Sequence, residues 1–195
     1  METSLFVGRF QPLHLGHVAA IEYALSKSDR LVIAVGSAEK SYELRNPFTA
    51  GERIEMLYSV LASKKLLERV VTITVPDVDN HLLWVPLVRS LAPSFSRVFS
   101  NDPLTILLFR NEGYAVEEVP LYRREELMAT EVRRRMAEGV NWSRLVPKEV
   151  YDFVRKIRGE ERVKILFEQS KLNSSNAGSS SNSNSNDKNN NLTKT

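Results

Sequence analysis

Cysteine is absent from the 195 residues. That excludes disulfides, thiolate nucleophiles and every zinc site built on thiolates. Histidine is nearly as scarce, with only three residues, so any imidazole chemistry is concentrated where they fall. No apolar run approaches the roughly 18 residues that a membrane span needs. The start, Met1-Glu2-Thr3-Ser4, lacks the basic stretch and apolar core of a secretory leader. These absences predict a cytoplasmic protein with no membrane partner. A charge excess of either sign is also missing. Lys and Arg number 27 against 24 Asp and Glu, a net +3, which is too mild to argue for a nucleic-acid partner. The basic residues are better read one at a time, as ligands for small anions.

What is present suffices for a single domain with a proper core: 42% of residues are hydrophobic, an ordinary share for a soluble fold. Five short apolar runs read as strands: Ser4–Val7, Leu31–Gly36, Val70–Val75, Arg97–Ser100 and Tyr114–Val119. Helical patterns separate them. One begins near Val18, and one runs from the Thr49-Ala-Gly-Glu52 capping box to about Ala62. A short one is interrupted by Pro86, and one opens on Asp102-Pro103 and ends at Gly113. Strand alternating with helix predicts an α/β architecture, a Rossmann-like parallel five-stranded sheet with helices on both faces. Additional C-terminal helices follow, over 130–138, from Pro147 to near Gly159, and over 160–171. From Asn173 onward the chain is almost wholly Asn and Ser, which cannot bury enough to offset its ordering entropy. The expected organisation is therefore a domain over 1–172 and a disordered tail over 173–195.

The chemistry gathers at Gly8-Arg-Phe-Gln-Pro-Leu-His-Leu-Gly-His17. This stretch lies where the first strand ends and the first helix begins, the place where open α/β sheets hold ligands. A helix N-terminus offers unpaired N–H groups suited to phosphate, Arg9 adds a permanent cation, and no acidic residue intervenes. Gly16 removes a side chain between His14 and His17 and lets a ligand approach the backbone. Two His and no third ligand nearby argue against a metal site.

His14-Leu-Gly-His17 resembles the HxGH signature of the nucleotidylyltransferase superfamily. The longer block, with Arg45-Asn-Pro-Phe-Thr-Ala-Gly-Glu-Arg53 and Thr130-Glu-Val-Arg-Arg-Arg-Met136, resembles the archaeal-type nicotinamide mononucleotide (NMN) adenylyltransferases. The resemblance implies transfer of AMP from ATP to NMN, giving NAD and pyrophosphate, with Mg2+ arriving on ATP and no protein metal ligand named. It implies that His14, His17 and Arg133 act on the transferring phosphate, His17 foremost. It implies that Gly8, Arg9, Gln11, Gly16, Arg45 and Thr130 form the ATP and phosphate site. Asn101 and Asp102 lie in a segment similar to the family's Ser-Gly-Asn-Pro. Asp77 and Trp84 stand where NMN would bind, a carboxylate and an aromatic face suiting a cationic pyridinium ring. A homo-oligomer is implied as well.

Plainer readings compete at several of these positions. Thr49 and Glu52 are explained by capping alone. Asp102 serves equally as a helix cap, Trp84 as a core aromatic, and Arg134 as a solvated helix residue. Arg53 is open between surface ion pairing and function. Thr130 is expected to be the N-cap of its helix, and Met128 stands where the family pattern carries a Ser hydroxyl. Two alternatives stay open: a sister enzyme acting on phosphopantetheine or a flavin nucleotide, and a catalytically silent nucleotide sensor. A class I aminoacyl-tRNA synthetase is excluded by chain length and by the lack of a KMSKS-like loop.

Overall fold

A computed structural model describes residues 1–120 and 127–179, the side chains through residue 173. All five strands are parallel, in the order β3-β2-β1-β4-β5. They are β1 (Thr3–Gly8), β2 (Arg30–Val35), β3 (Val70–Thr74), β4 (Arg97–Phe99) and β5 (Ala115–Glu117). The connecting helices are α1 (Leu15–Ser26), α2 (Ala50–Ser63), α3 (Trp84–Leu91) and α4 (Pro103–Asn111); α5 (Ala129–Glu138), α6 (Lys148–Lys156) and α7 (Gly159–Ser179) follow the sheet. The predicted α/β layout is thus observed.

Alternation of side chains along the strands divides the core in two. Phe6, Ile33 and Phe99 face α1, α2 and the C-terminal helices, together with Phe10, Phe48, Met56 and Val132. Leu5, Val32, Ala34 and Val98 face the other way, against Val85 and Val88 of α3 and Phe109 of α4. Interior strand β2 has five consecutive buried residues, as a strand covered on both faces must. Each fully buried Leu, Ile or Phe contributes about 1.5–3 kcal/mol relative to an exposed one.

From β1 the chain builds one half of the sheet through β2 and β3, then returns to the other side of β1 for β4 and β5. The order reverses between β1 and β4, and a crevice opens there at the carboxyl ends of the strands. This topology fixes where the site lies before any side chain is considered.

Three local expectations need correction. Pro86 does not interrupt α3; it occupies the third helical position, where its missing N–H would have had no intrahelical partner anyway. Helix α5 begins at Ala129, with Met128 as N-cap and Thr130 as the second helical residue. Thr130 therefore cannot cap it. Helix α7 continues to Ser179 rather than ending at Lys171, because extending an established helix through Ser and Asn costs only a few tenths of a kcal/mol per residue. The rest of the tail, 180–195, lies outside the described residues. No described helix is long and apolar enough to cross a membrane.

Candidate active site

His14 is the N-cap of α1, and His17 is its third helical residue. The pair forms a capping box out of imidazoles: His14 Nδ1 accepts the His17 amide and His17 Nδ1 accepts the His14 amide, both at 3.3 Å. The rings stack with centroids 3.6 Å apart and planes at 27°, and Phe10 closes on His17 from one side at 4.9 Å. An Nδ1 that accepts leaves the proton of a neutral imidazole on Nε2. Both Nε2–H groups are thereby fixed as donors directed away from their own backbone. Burial, reinforced by the Arg133 charge, lowers the His14 pKa to about 4. Burial and then His14 hold His17 well below the usual range for histidine. At neutral pH the site presents two uncharged, oriented N–H donors.

Gly16 is also required by its own neighbour. A Cβ there would lie 3.0 Å from the His14 ring, so the missing side chain makes room for the imidazole itself. The amides of Leu15 and Gly16 occupy the first turn of α1, where no intrahelical acceptor exists.

Arg133 comes from α5, at the far end of the sequence. Its Nη1 donates to the Gln11 carbonyl at 2.7 Å, and Nη2 reaches Thr130 Oγ1 at 3.4 Å. Burial, then Arg9, then Arg45 bring its pKa down to about 10, so it stays cationic at pH 7. The charges of Arg9 and Arg45 therefore both act on Arg133. Neither Arg9 nor Arg45 has an ion-pair partner among the described residues. Asp77 lies in the field of Arg9, but the mutual repulsion of the three cations remains, and a polyanion bound among them would relieve it. The other arginines of the triplet are engaged elsewhere: Arg134 and Arg135 both pair with Glu131, whose pKa falls to about 2. Met128 supplies no side-chain cap to α5, which leaves the first amides of that helix uncapped.

Arg53 is not at the surface and has no ion pair among the described residues. It is fully buried. Its guanidinium donates to the carbonyls of Arg9 at 3.0 Å, Gly36 at 2.7 Å, Ser37 at 3.0 Å and Thr49 at 3.2 Å. One cation thus ties the loop after β1 to the loop after β2. The only trace of this in the sequence is an Arg one turn after the Thr49 cap, on the helix face that also carries Met56 and Leu57.

A cleft of about 740 Å³ opens beside these loops, at the carboxyl ends of β1 to β4, and Gly8, Arg9, Asp77, Trp84 and Asp102 line it. Trp84 is half-buried and packs edge-on against Phe109 at 5.9 Å, so it is a core aromatic and a cleft wall together. Asp77 accepts from Ser37 Oγ at 3.1 Å and pairs with Lys40 at 2.7 Å. Burial disfavours the Asp77 carboxylate, but Lys40 and Ser37 outweigh it and lower the pKa. Glu39, Asp79 and His81 also line this cleft; motif reading alone did not single out the first two. Among the described residues no three His, Cys, Asp or Glu are grouped to hold a metal ion.

Three predicted phosphate ligands have their side chains engaged in structure. Gln11 is buried and exchanges two 2.9 Å bonds with the Phe48 backbone. Asn101 does the same with the Val119 backbone, again at 2.9 Å, continuing the pairing just beyond β5. Asp102 caps α4 by accepting the Thr105 amide and hydroxyl at 2.8 and 2.9 Å. These side chains shape the rim. The side chains of Arg9 and Arg45 have no such engagement among the described residues, and the His14 and His17 rings use only Nδ1 within the fold.

The comparisons with known proteins agree with this geometry. A family model described as cytidylyltransferase-like matches residues 5–135, from β1 into α5. A nicotinamide-nucleotide adenylyltransferase of Pyrococcus furiosus is 45% identical over 168 residues, covering 85% of this chain and 89% of the relative. Its counterpart in Pyrobaculum aerophilum is 47% identical over 167 residues, covering 85% and 94%. A bifunctional NMN adenylyltransferase/ADP ribose pyrophosphatase of Francisella tularensis, complexed with AMP and a manganese ion, superposes with a TM-score of 0.74 at 24% identity. That match covers 88% of this chain and 53% of the other, and it speaks for the fold. On these grounds the chain belongs to the archaeal-type nicotinamide-nucleotide adenylyltransferases, within the cytidylyltransferase-like family.

Proposed function

We propose that this chain transfers the AMP moiety of ATP to NMN, producing NAD and pyrophosphate. An oxygen of the NMN 5′-phosphate forms a bond to the α-phosphorus of ATP. The bond from that phosphorus to the oxygen bridging toward the β-phosphate breaks, and its electron pair leaves with pyrophosphate. No covalent enzyme intermediate is needed, in keeping with a site that offers imidazoles and guanidiniums but no activated nucleophile.

Catalysis on this reading is alignment plus charge stabilisation. The Nε2–H groups of His14 and His17 donate to oxygens of the transferring phosphate, His17 foremost. Because the donors are already oriented and neutral, the transition state gains hydrogen bonds without a proton having to move. Arg9, Arg45 and Arg133 spread over the triphosphate, with Thr130 and the free amides of Gly16 and Leu15 beside them. Asp77 and Trp84 receive the nicotinamide end of NMN. Mg2+ would arrive with ATP as part of the substrate and would offset phosphate charge alongside Arg9, Arg45 and Arg133.

The observation that carries the reading is the approach of Arg133 to the Gln11 carbonyl, which sets the late motif against the early one. The test is direct: incubate folded protein with ATP, Mg2+ and NMN, then quantify NAD and pyrophosphate. Equimolar products are expected. A protein that makes neither would refute the proposal. The reading also carries a cytoplasmic location and a homo-oligomer, the latter checked by sedimentation equilibrium.

A further inference from the structure

Arg45 presents a structural problem. It sits in the field of Arg133, in a long non-repetitive segment between β2 and α2, with no ion-pair partner among the described residues to hold it there. Two cations near each other separate unless the backbone that bears them is restrained. The restraint on one side is Gln11, through Phe48. On the other side it comes from α7.

Arg162 projects from α7 onto this segment. Its two terminal nitrogens take both oxygens of Glu52 at 2.7 and 2.8 Å, and Nη1 also donates to the Pro47 carbonyl at 3.1 Å. Its guanidinium lies over the Tyr42 ring at 4.4 Å, with Phe48 farther off at 5.9 Å. Glu52 is itself tied to the Thr49 amide at 2.8 Å. One side chain therefore grips residues 42, 47 and 52, bracketing Arg45 from both sides. The start of α7 reinforces the grip, since a Cβ on Gly159 would come within 2.9 Å of the Phe48 ring. The same helix also packs against α5, which carries Arg133. A surface ion pair would not require this combination of forked pairing, carbonyl contact and ring stacking.

We infer that Arg162 is a positioning residue for ATP binding: it fixes the 42–48 segment so that Arg45 is held beside Arg133. The inference rests on the proposed role of Arg45 as a phosphate contact. α7 thereby becomes part of the substrate machinery although none of its described side chains lines the cleft.

The test is a double-mutant cycle on the full chain with R45A, R162A and R45A/R162A, measuring kcat/KM for ATP and ATP affinity by calorimetry. R162A is expected to lower both on the order of tenfold or more, with an unchanged far-UV spectrum. In the R45A background the same change is expected to cost less than about twofold, because the residue through which it acts is gone. R162K, which keeps the charge but not the planar fork, should fall between the two. Faster hydrogen exchange at 42–48 in R162A, with 8–17 unaffected, is the accompanying signature. Equal losses in both backgrounds, or no loss in R162A, would overturn the inference. If R45A alone changes nothing, the phosphate role of Arg45 fails and this inference fails with it. If no form makes NAD, adenylyl transfer is refuted while the calorimetric cycle still decides the role of Arg162.

Discussion

The guanidinium of Arg133 donates to the main-chain carbonyl of Gln11 at 2.7 Å, joining positions 122 residues apart. Gln11 in turn pairs its side chain with Phe48. Three segments that bear the proposed phosphate-binding groups, 8–17, 42–48 and 129–133, are thus chained together by hydrogen bonds.

His17→Ala should lower turnover a hundred- to a thousandfold, the usual effect of removing one oriented donor to transition-state charge, or about 2.7–4 kcal/mol. Loss of the reciprocal cap with His14 adds about 1 kcal/mol of destabilisation, which leaves the protein folded at 25 °C. Steady-state NAD formation checks the first figure and urea denaturation the second. Turnover near that of the unmodified protein would remove His17 from the mechanism.

His14 should remain neutral, with the proton on Nε2, from pH 8 down to about 5.5, and His17, held well below the usual histidine range by burial, should be neutral in the same form at pH 7. Nitrogen-15 spectra of labelled protein report this directly, and a titration of either ring midway through that range would contradict it. Stability carries the same signature. His14 has a pKa of about 4 folded against its ordinary 6.5, so between these values the unfolded chain binds more protons. Its contribution is complete above about pH 6.5 and is lost as the pH falls toward 4, amounting to about 3 kcal/mol. His14→Asn, which keeps a capping side chain, should flatten that slope relative to the parent. An unchanged slope would count against the assignment.

Arg53→Met should destabilise the fold by about 3 kcal/mol, because the Gly36 and Ser37 carbonyls are left buried without their charged donor and the part-buried Arg9 carbonyl loses its own. Arg53→Lys keeps the charge, but its compact ammonium cannot reproduce the planar fork, so it should stay folded yet lose more in kcat than in KM. Thermal midpoints and steady-state kinetics separate these effects. A folded Arg53→Lys with unaltered kcat would show that the junction of the two loops does not matter to the chemistry.

Asp77→Asn should raise KM for NMN severalfold to tenfold and leave KM for ATP within about twofold, since a neutral amide loses attraction for a cationic ring. Equal changes in both constants would move Asp77 from NMN recognition to general cleft architecture, where its bond to Ser37 and its pairing with Lys40 already give it a place.

Legibility in the sequence followed the range of the interaction. Strand period, the Thr49–Glu52 capping box and the Asp102-Pro103 start are signals within a few residues of chain, and each appears where expected. Arg53 was open between the surface and function, because nothing local distinguishes a guanidinium facing water from one facing four carbonyls. Asn101 and Gln11 are expected at the phosphate site on the resemblance alone, and a carboxamide can meet either phosphate or backbone. Which they meet depends on a strand end or a loop brought in from elsewhere.

The sequence by itself determined the alternating elements, the imidazole pair at the start of α1 and the family, since these reside in local patterning and in motifs read in order. Only the tertiary structure decided that Arg9, Arg45 and Arg133 share one electrostatic field, that both histidines are held neutral, and that Arg162 braces the segment between. Charge proximity, burial and hydrogen-bond partners are properties of the folded sheet and its crossovers, and residues far apart in the chain acquire them only when it closes.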